Sequence, residues 1–64
     1  MARRHLEAVR RAVRRIDDAR QALGDAMLAA QESGETIRDI QEAAGLGRSQ
    51  TFELIRQAKE RRGG

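Results

Sequence analysis

The chain has 64 residues and a net charge of +3, and it contains no cysteine, proline, Trp or Tyr. Disulfide bonds and cysteine-based zinc sites are therefore excluded, and the abundance of Ala, Arg, Glu, Gln and Leu predicts an all-α fold. No apolar run is long enough for a membrane span or a secretory signal, so we expect no membrane partner and a cytoplasmic, nucleoid-associated location. His5 is the only histidine, and no nucleophile has a base at a suitable spacing, so neither an enzyme nor a cofactor, metal or small-molecule site is predicted.

The first predicted helix covers residues 2–32, which contain no strong helix breaker. Its apolar side chains recur every three or four residues, as on one face of a helix. Written as heptads, they form two seam rows. One row is Leu6, Val13, Arg20 and Met27, and the other is Val9, Ile16, Leu23 and Ala30. Gly24 weakens the middle of this helix, but we expect the helix to continue through it.

Arg20 is the one charged residue in these rows. A polar seam residue can fix the register of a coiled coil, and an Arg can also extend its charged end to water. Both interpretations fit the sequence. The six arginines among residues 1–15 lie largely on the opposite side of the helix and are available to solvent or to phosphate.

Two shorter helices are predicted after a break at Ser33 and Gly34. Thr36 is a suitable N-cap for the second helix, which should end at Gly45, where a left-handed conformation closes the last turn. Gly47 is an acceptable N-cap for a third helix over residues 48–62. The chain thus divides into a long amphipathic helix (1–33) for support and dimerisation, and a smaller helical head (34–64).

Charge is distributed unevenly along the chain. Residues 1–15 carry a net charge of +5, residues 16–47 carry −5, and residues 48–64 carry +3. A chain with two basic ends favours a polyanionic partner, with the acidic middle turned away from it. Solvated helix faces explain the same pattern without a partner, so charge alone leaves both interpretations open.

The segment 36–56 carries the most specific pattern: Ile40, then Ala44-Gly45-Leu46, then Leu54-Ile55. It resembles the helix-turn-helix heads of small bacterial transcription regulators, including resolvase-like and tetracycline-repressor-like proteins. The resemblance covers about a third of the chain. It departs from the family pattern at Gln41, Gly47 and Thr51, where an alanine, a serine cap and an aliphatic core residue are usual.

The resemblance implies a sequence-specific protein that binds double-stranded DNA, a transcriptional regulator whose third helix enters the major groove. Side chains at the start of that helix would read bases, with Arg suited to guanine, Gln to adenine and Glu to cytosine, although Arg48 could equally bind a phosphate. Thr36 could bind a phosphate or only cap its helix, and the basic residues late in the third helix would attract phosphates. The predicted DNA-binding residues are Thr36, Arg48, Ser49, Gln50, Glu53, Arg56 and Lys59, with Arg61 and Arg62 adding nonspecific attraction. We expect Phe52 to close the core.

The first helix is too long for the rest of its chain to cover. Its second half, around Leu23, Met27 and Leu28, can pack on the head, but its first half has nothing to pack against. We therefore expect a homodimer through a coiled coil, with an interface formed by Leu6, Val9, Val13 and Ile16. Parallel and antiparallel pairing both fit the sequence. The alternative function is a helical protein–protein interaction module, such as a coiled-coil adaptor that binds another regulator.

Overall fold

The computed structural model describes residues 2–63, which form three α-helices and no strands. Helix α1 is Ala2–Glu32, α2 is Ile37–Ala44 and α3 is Arg48–Gly63. The all-α prediction and the uninterrupted first helix are confirmed. The described part of the chain measures 51 × 27 × 16 Å, and its long dimension reflects the length of α1.

Both breaks between helices are closed by backbone hydrogen bonds around a glycine. At the end of α1, Gly34 has φ 100° and the Glu35 N–H donates to the carbonyl of Ala30 at 3.0 Å. At the end of α2, Gly45 has φ 68° and the Leu46 N–H donates to the carbonyl of Gln41 at 3.3 Å. These are Schellman-type closures, which need a residue that tolerates positive φ.

The core lies where the second half of α1 meets α2 and α3. The buried apolar side chains are Met27, Leu28, Ile40, Leu54, Ile55 and Ala58. They confirm the prediction that the second half of α1 packs against the two shorter helices. Burial of these side chains supplies most of the driving force for folding, because no disulfide exists to replace it.

We call residues 20–63 the packed half and residues 3–19 of α1 the bare half. In the bare half every side chain except that of Glu7 is exposed, and the four large apolar ones are 49–59% exposed. These four, which we call the bare stripe, are Leu6, Val9, Val13 and Ile16. Their exposure agrees with the prediction that this part of α1 has no cover within its own chain.

Gly24 lies where the backbone of α1 comes close to the backbone of α3. A Cβ atom built on it would lie 2.8 Å from the backbone oxygen of Leu54, which is closer than van der Waals contact allows. Gly24 is therefore a packing residue: its missing side chain lets the backbones of the two helices touch. The helix does not end there.

Among residues 2–63, no helix is long and apolar enough to cross a membrane.

Candidate nucleic-acid interface

The first turn of α3 presents three polar side chains, Arg48, Ser49 and Gln50, and all three are exposed. They directly follow the turn 45–47, in which Gly45 closes α2 and the partly buried Leu46 packs against the core. This turn holds the first turn of α3 at the surface. Arg48, Ser49 and Gln50 are therefore accessible in one turn, which we call the leading edge.

Thr51 is the buried residue that holds the leading edge in place. Its side chain is 0% exposed, and its hydroxyl donates to the carbonyl of Gly47 at 2.8 Å. The same carbonyl accepts the backbone N–H of Thr51 at 3.0 Å. A threonine is thus accommodated where the family pattern has an aliphatic residue, because its methyl group packs and its hydroxyl finds an acceptor.

Phe52 does not close the core, so the prediction made for it is wrong. Its side chain is 40% exposed, and the guanidinium carbon of Arg48 lies 5.3 Å from the centre of its ring. The reason is helical geometry: the core face of α3 is formed by Thr51, Leu54 and Ile55, and Phe52 points to the side of it. This cation–π contact restrains the Arg48 side chain at the surface.

The middle of α3 carries an exposed network of charges. Arg56 forms ion pairs with Glu53 and Glu60, and Gln57 donates to Glu53 at 3.1 Å. Hydrogen bonding from Arg56 lowers the pKa of Glu53, and hydrogen bonding and attraction from Glu53 raise the pKa of Arg56. Both predicted DNA contacts, Glu53 and Arg56, are thus charged and already engaged with each other.

The last two arginines of α3 bind α1. Arg61 donates to the Gln21 carbonyl and to the Asp25 carboxylate, each at 3.0 Å, and Arg62 is ion-paired with Glu32. Hydrogen bonding from Arg62 lowers the pKa of Glu32. The sequence predicted phosphate attraction from both arginines, whereas the structure uses them to tie the end of α3 to α1. Lys59 is exposed and adds attraction to Glu32.

Thr36 caps α2 as predicted, since its hydroxyl oxygen accepts the Asp39 N–H at 3.1 Å. The Thr36 side chain is exposed at the start of α2, whereas the leading edge lies at the start of α3. The hydroxyl hydrogen stays available for donation. The negatively charged carboxylate of Asp39, in the first turn of the same helix, would repel a phosphate there.

Glu35 and Asp39, two acidic residues of the segment 16–47, do not cover the leading edge. Glu35 and Asp39 line a groove between α1 and α2, together with Met27 and Ile40. Within residues 2–63, no ion pair or side-chain hydrogen bond joins Arg48 to an acidic residue of α2. The positive charge at the start of α3 is thus presented to solvent.

A second cleft borders the same edge on the side of α1. It is lined by Ile16, Arg20 and Leu23 from α1, and by Leu46, Gln50 and Leu54 from the turn and α3. Arg20 is among the residues that line it and is exposed. The cleft joins the bare stripe to the packed half.

Comparison with protein-family models, with curated proteins and with solved structures finds no match.

Proposed function

We propose that α2, the turn 45–47 and α3 are a helix-turn-helix head, and that the protein is a sequence-specific transcriptional regulator that binds double-stranded DNA. The observation that carries this proposal is the first turn of α3, where Arg48, Ser49 and Gln50 are exposed together on a helix anchored by Thr51. A helix with an accessible polar leading edge fits the B-DNA major groove, which is about 12 Å wide.

Base reading is assigned to the leading edge. The Arg48 guanidinium can donate two hydrogen bonds to guanine, and the Gln50 amide can pair with adenine. The ring of Phe52 restrains Arg48 before DNA arrives, which reduces the entropy lost on binding. Ser49 donates or accepts, so it suits either a base edge or a phosphate.

Phosphate contacts are assigned to the flanks. Lys59 supplies an exposed cation late in α3, and the Thr36 hydroxyl supplies a neutral donor at the start of α2. Arg56 can reach a phosphate only by releasing Glu53 or Glu60, so its net contribution is smaller than that of an unpaired arginine. Glu53 can accept from cytosine, at the cost of the same ion pair.

The protein acts as a homodimer in this proposal. The bare stripe is half exposed along one face of a regular helix, which is unfavourable in water and is relieved when a second copy covers it. Two-fold pairing would present two heads to two half-sites, separated by one DNA turn or a multiple of it.

Selection from random duplex DNA at physiological salt tests the function. The expected result is an enriched motif with two related halves, and recovery of no motif would contradict the proposal. A double variant, Arg48→Ala with Gln50→Ala, is expected to lose sequence preference. The matched control is Arg14→Ala with Gln21→Ala, which removes the same charge and the same amide from exposed positions on α1 and should keep that preference.

A second candidate function, a helical protein-interaction module, is favoured by the same exposed stripe. The two functions differ in their response to salt, because DNA binding weakens linearly on a log–log plot as counterions are released. An interaction module would instead be disrupted by Val9→Asp or Val13→Asp, and would be insensitive to loss of Arg48.

A further inference from the structure

The two seam rows of α1 continue from the bare stripe directly into the core. Seven residues after Val13 comes Arg20, and seven after that comes Met27, which is 3% exposed beneath α2 and α3. The other row runs from Ile16 through Leu23 to Ala30, which packs against the same core. The face that would bind a second copy is therefore partly covered by the chain's own α2 and α3 at Leu23 and fully covered at Met27.

This coverage disfavours a parallel, in-register pair. A parallel partner helix would follow the seam rows toward Met27 and collide with α2 and α3 of the first copy. The partner's own α2 and α3 would also have to occupy that space. An antiparallel partner runs the other way. When residues 3–19 of one copy pair with residues 3–19 of the other, both copies keep their cores.

Resting on the proposed homodimer, we propose that two copies pair through antiparallel α1 helices whose two-fold axis passes near Arg11. In this register Leu6 of one copy lies opposite Ile16 of the other, and Val9 lies opposite Val13. Every member of the bare stripe then has a partner of similar size. The end of the second cleft at Ile16 and Ala19 then lies beside residues 3–6 of the second copy.

Charges along the seam support this orientation. Residues 1–15 carry +5 and residues 16–47 carry −5, so parallel pairing would set the basic segments side by side along their whole length. Antiparallel pairing brings Asp17 of each copy to the level of residue 5 of the other, within reach of Arg3. Arg10, which lies near the two-fold axis, is ion-paired with Glu7 of its own helix, and this pairing reduces repulsion there.

Antiparallel pairing also places the leading edges of the two copies at a spacing similar to that of successive major grooves. Gln50 lies beside residues 16–23 of α1, and Leu54 contacts Gly24. Measured from residue 11 at about 1.5 Å per residue, the two copies of α3 are offset along α1 by roughly 27 Å at their starts and roughly 39 Å at their middles. This range includes the roughly 34 Å between successive major grooves on one side of DNA.

Cysteine cross-linking tests the register, and the natural chain has no cysteine to interfere. Leu6→Cys chains and isotopically labelled Ile16→Cys chains are mixed in a glutathione buffer, and the disulfides are counted by mass spectrometry. Antiparallel pairing brings positions 6 and 16 together, whereas like positions are separated by ten residues, or about 15 Å along the axis, which is too far for a disulfide. We expect the mixed disulfide to exceed both like disulfides by at least tenfold.

A charge-exchange cycle checks the same register without cysteines. Arg3→Asp and Asp17→Arg are each expected to weaken the dimer several-fold, and the double variant should return to within about twofold of the natural chain. The two positions are 14 residues apart on one helix, so restoration can arise only between chains. The matched control exchanges Arg4 and Asp18, which have the same spacing but face away from the seam, and should show no coupling.

The outcomes separate the register from the function. A dimer in sedimentation that forms mainly like disulfides, or the three disulfides in random proportions, would overturn the antiparallel register and leave the homodimer standing. A chain that sediments as a monomer while it binds its selected DNA would remove the homodimer itself. Absence of coupling between Arg3 and Asp17 in a proven dimer would also overturn the register.

Discussion

The packed half and the bare half share one continuous helix, yet they differ in what covers its apolar face. In the packed half, Met27 and Leu28 are buried by α2 and α3, whereas in the bare half Val9 and Ile16 are more than half exposed. The same heptad pattern runs through both. The comparison shows that periodicity locates an apolar face, and that contact with α2 and α3 decides which part of that face is covered.

The strongest test of this difference removes one large side chain from each half. Ile55→Ala opens a cavity in the core and should cost about 2–5 kcal/mol, a large share of the stability of a domain this small. Ile16→Ala should lower the free energy of unfolding far less in dilute solution. Its effect should grow as the protein concentration rises and dimers form. Urea unfolding at two protein concentrations measures both, and equal losses from the two variants would erase the distinction between the halves.

A second test uses the close approach at Gly24. Helix propensity alone predicts that Gly24→Ala stabilises α1 by about 1 kcal/mol, but the added Cβ would lie 2.8 Å from the Leu54 oxygen. We expect a net loss of roughly 1–3 kcal/mol, typical of overpacking. The reciprocal change in the bare half, Ala8→Gly, should cost only the propensity difference. A gain in melting temperature for Gly24→Ala would show that α3 can move away freely.

A smaller effect is expected at the hydroxyl of Thr51. Thr51→Val keeps the shape and removes the bond to the Gly47 carbonyl, at a cost of about 0.5–1.5 kcal/mol. Ser33→Ala removes a hydroxyl bond of the same kind, to the Ala29 carbonyl at 2.9 Å, but at an exposed position. Because water can replace the exposed bond, its loss should be close to zero. Denaturant midpoints of the two variants give the comparison, and a larger loss at Ser33 would contradict it.

The smallest effect concerns the tie between Arg62 and Glu32. Arg62 lowers the pKa of Glu32 below its ordinary 4.5, so the ion pair stabilises the fold above that value and is lost as the pH falls through the lowered pKa. The melting temperature of the natural chain should therefore fall slightly more in this acidic range than that of Arg62→Ala. Parallel pH profiles of the two proteins would argue against the tie.

Local signals in the sequence predicted the helices almost to the residue. The cap at Thr36 and the turns at Gly34 and Gly45 depend on hydrogen bonds within six residues, which a linear pattern can show. The roles of Gly24 and Arg61 depend on contacts with residues about 30 and 40 positions away. No local pattern encodes such distances, although a small residue four positions before Leu28 on the core face was a signal for close packing.

In the candidate interface, the sequence predicted the exposure of some residues correctly and the contacts of others incorrectly. Arg48, Ser49 and Gln50 lie together at the surface because they occupy one turn, and their exposure follows from the anchoring of Thr51. The prediction for Phe52 was wrong because its position on α3, one residue after Thr51 and two before Leu54, turns its side chain away from the core face. The engagement of Arg56 by Glu53 and Glu60 follows from spacings of three and four residues, and the sequence could have predicted it.

The unbroken course of α1 has a mechanical consequence. Because the helix is held only over its second half, it acts as a lever pivoted near Gly24. A tilt of about 5° at the pivot would sweep the far tip by roughly 3 Å, given about 1.5 Å of rise per residue. The stiffness of the packing around Gly24, Met27 and Leu28 therefore governs how accurately the bare half is held relative to α2 and α3.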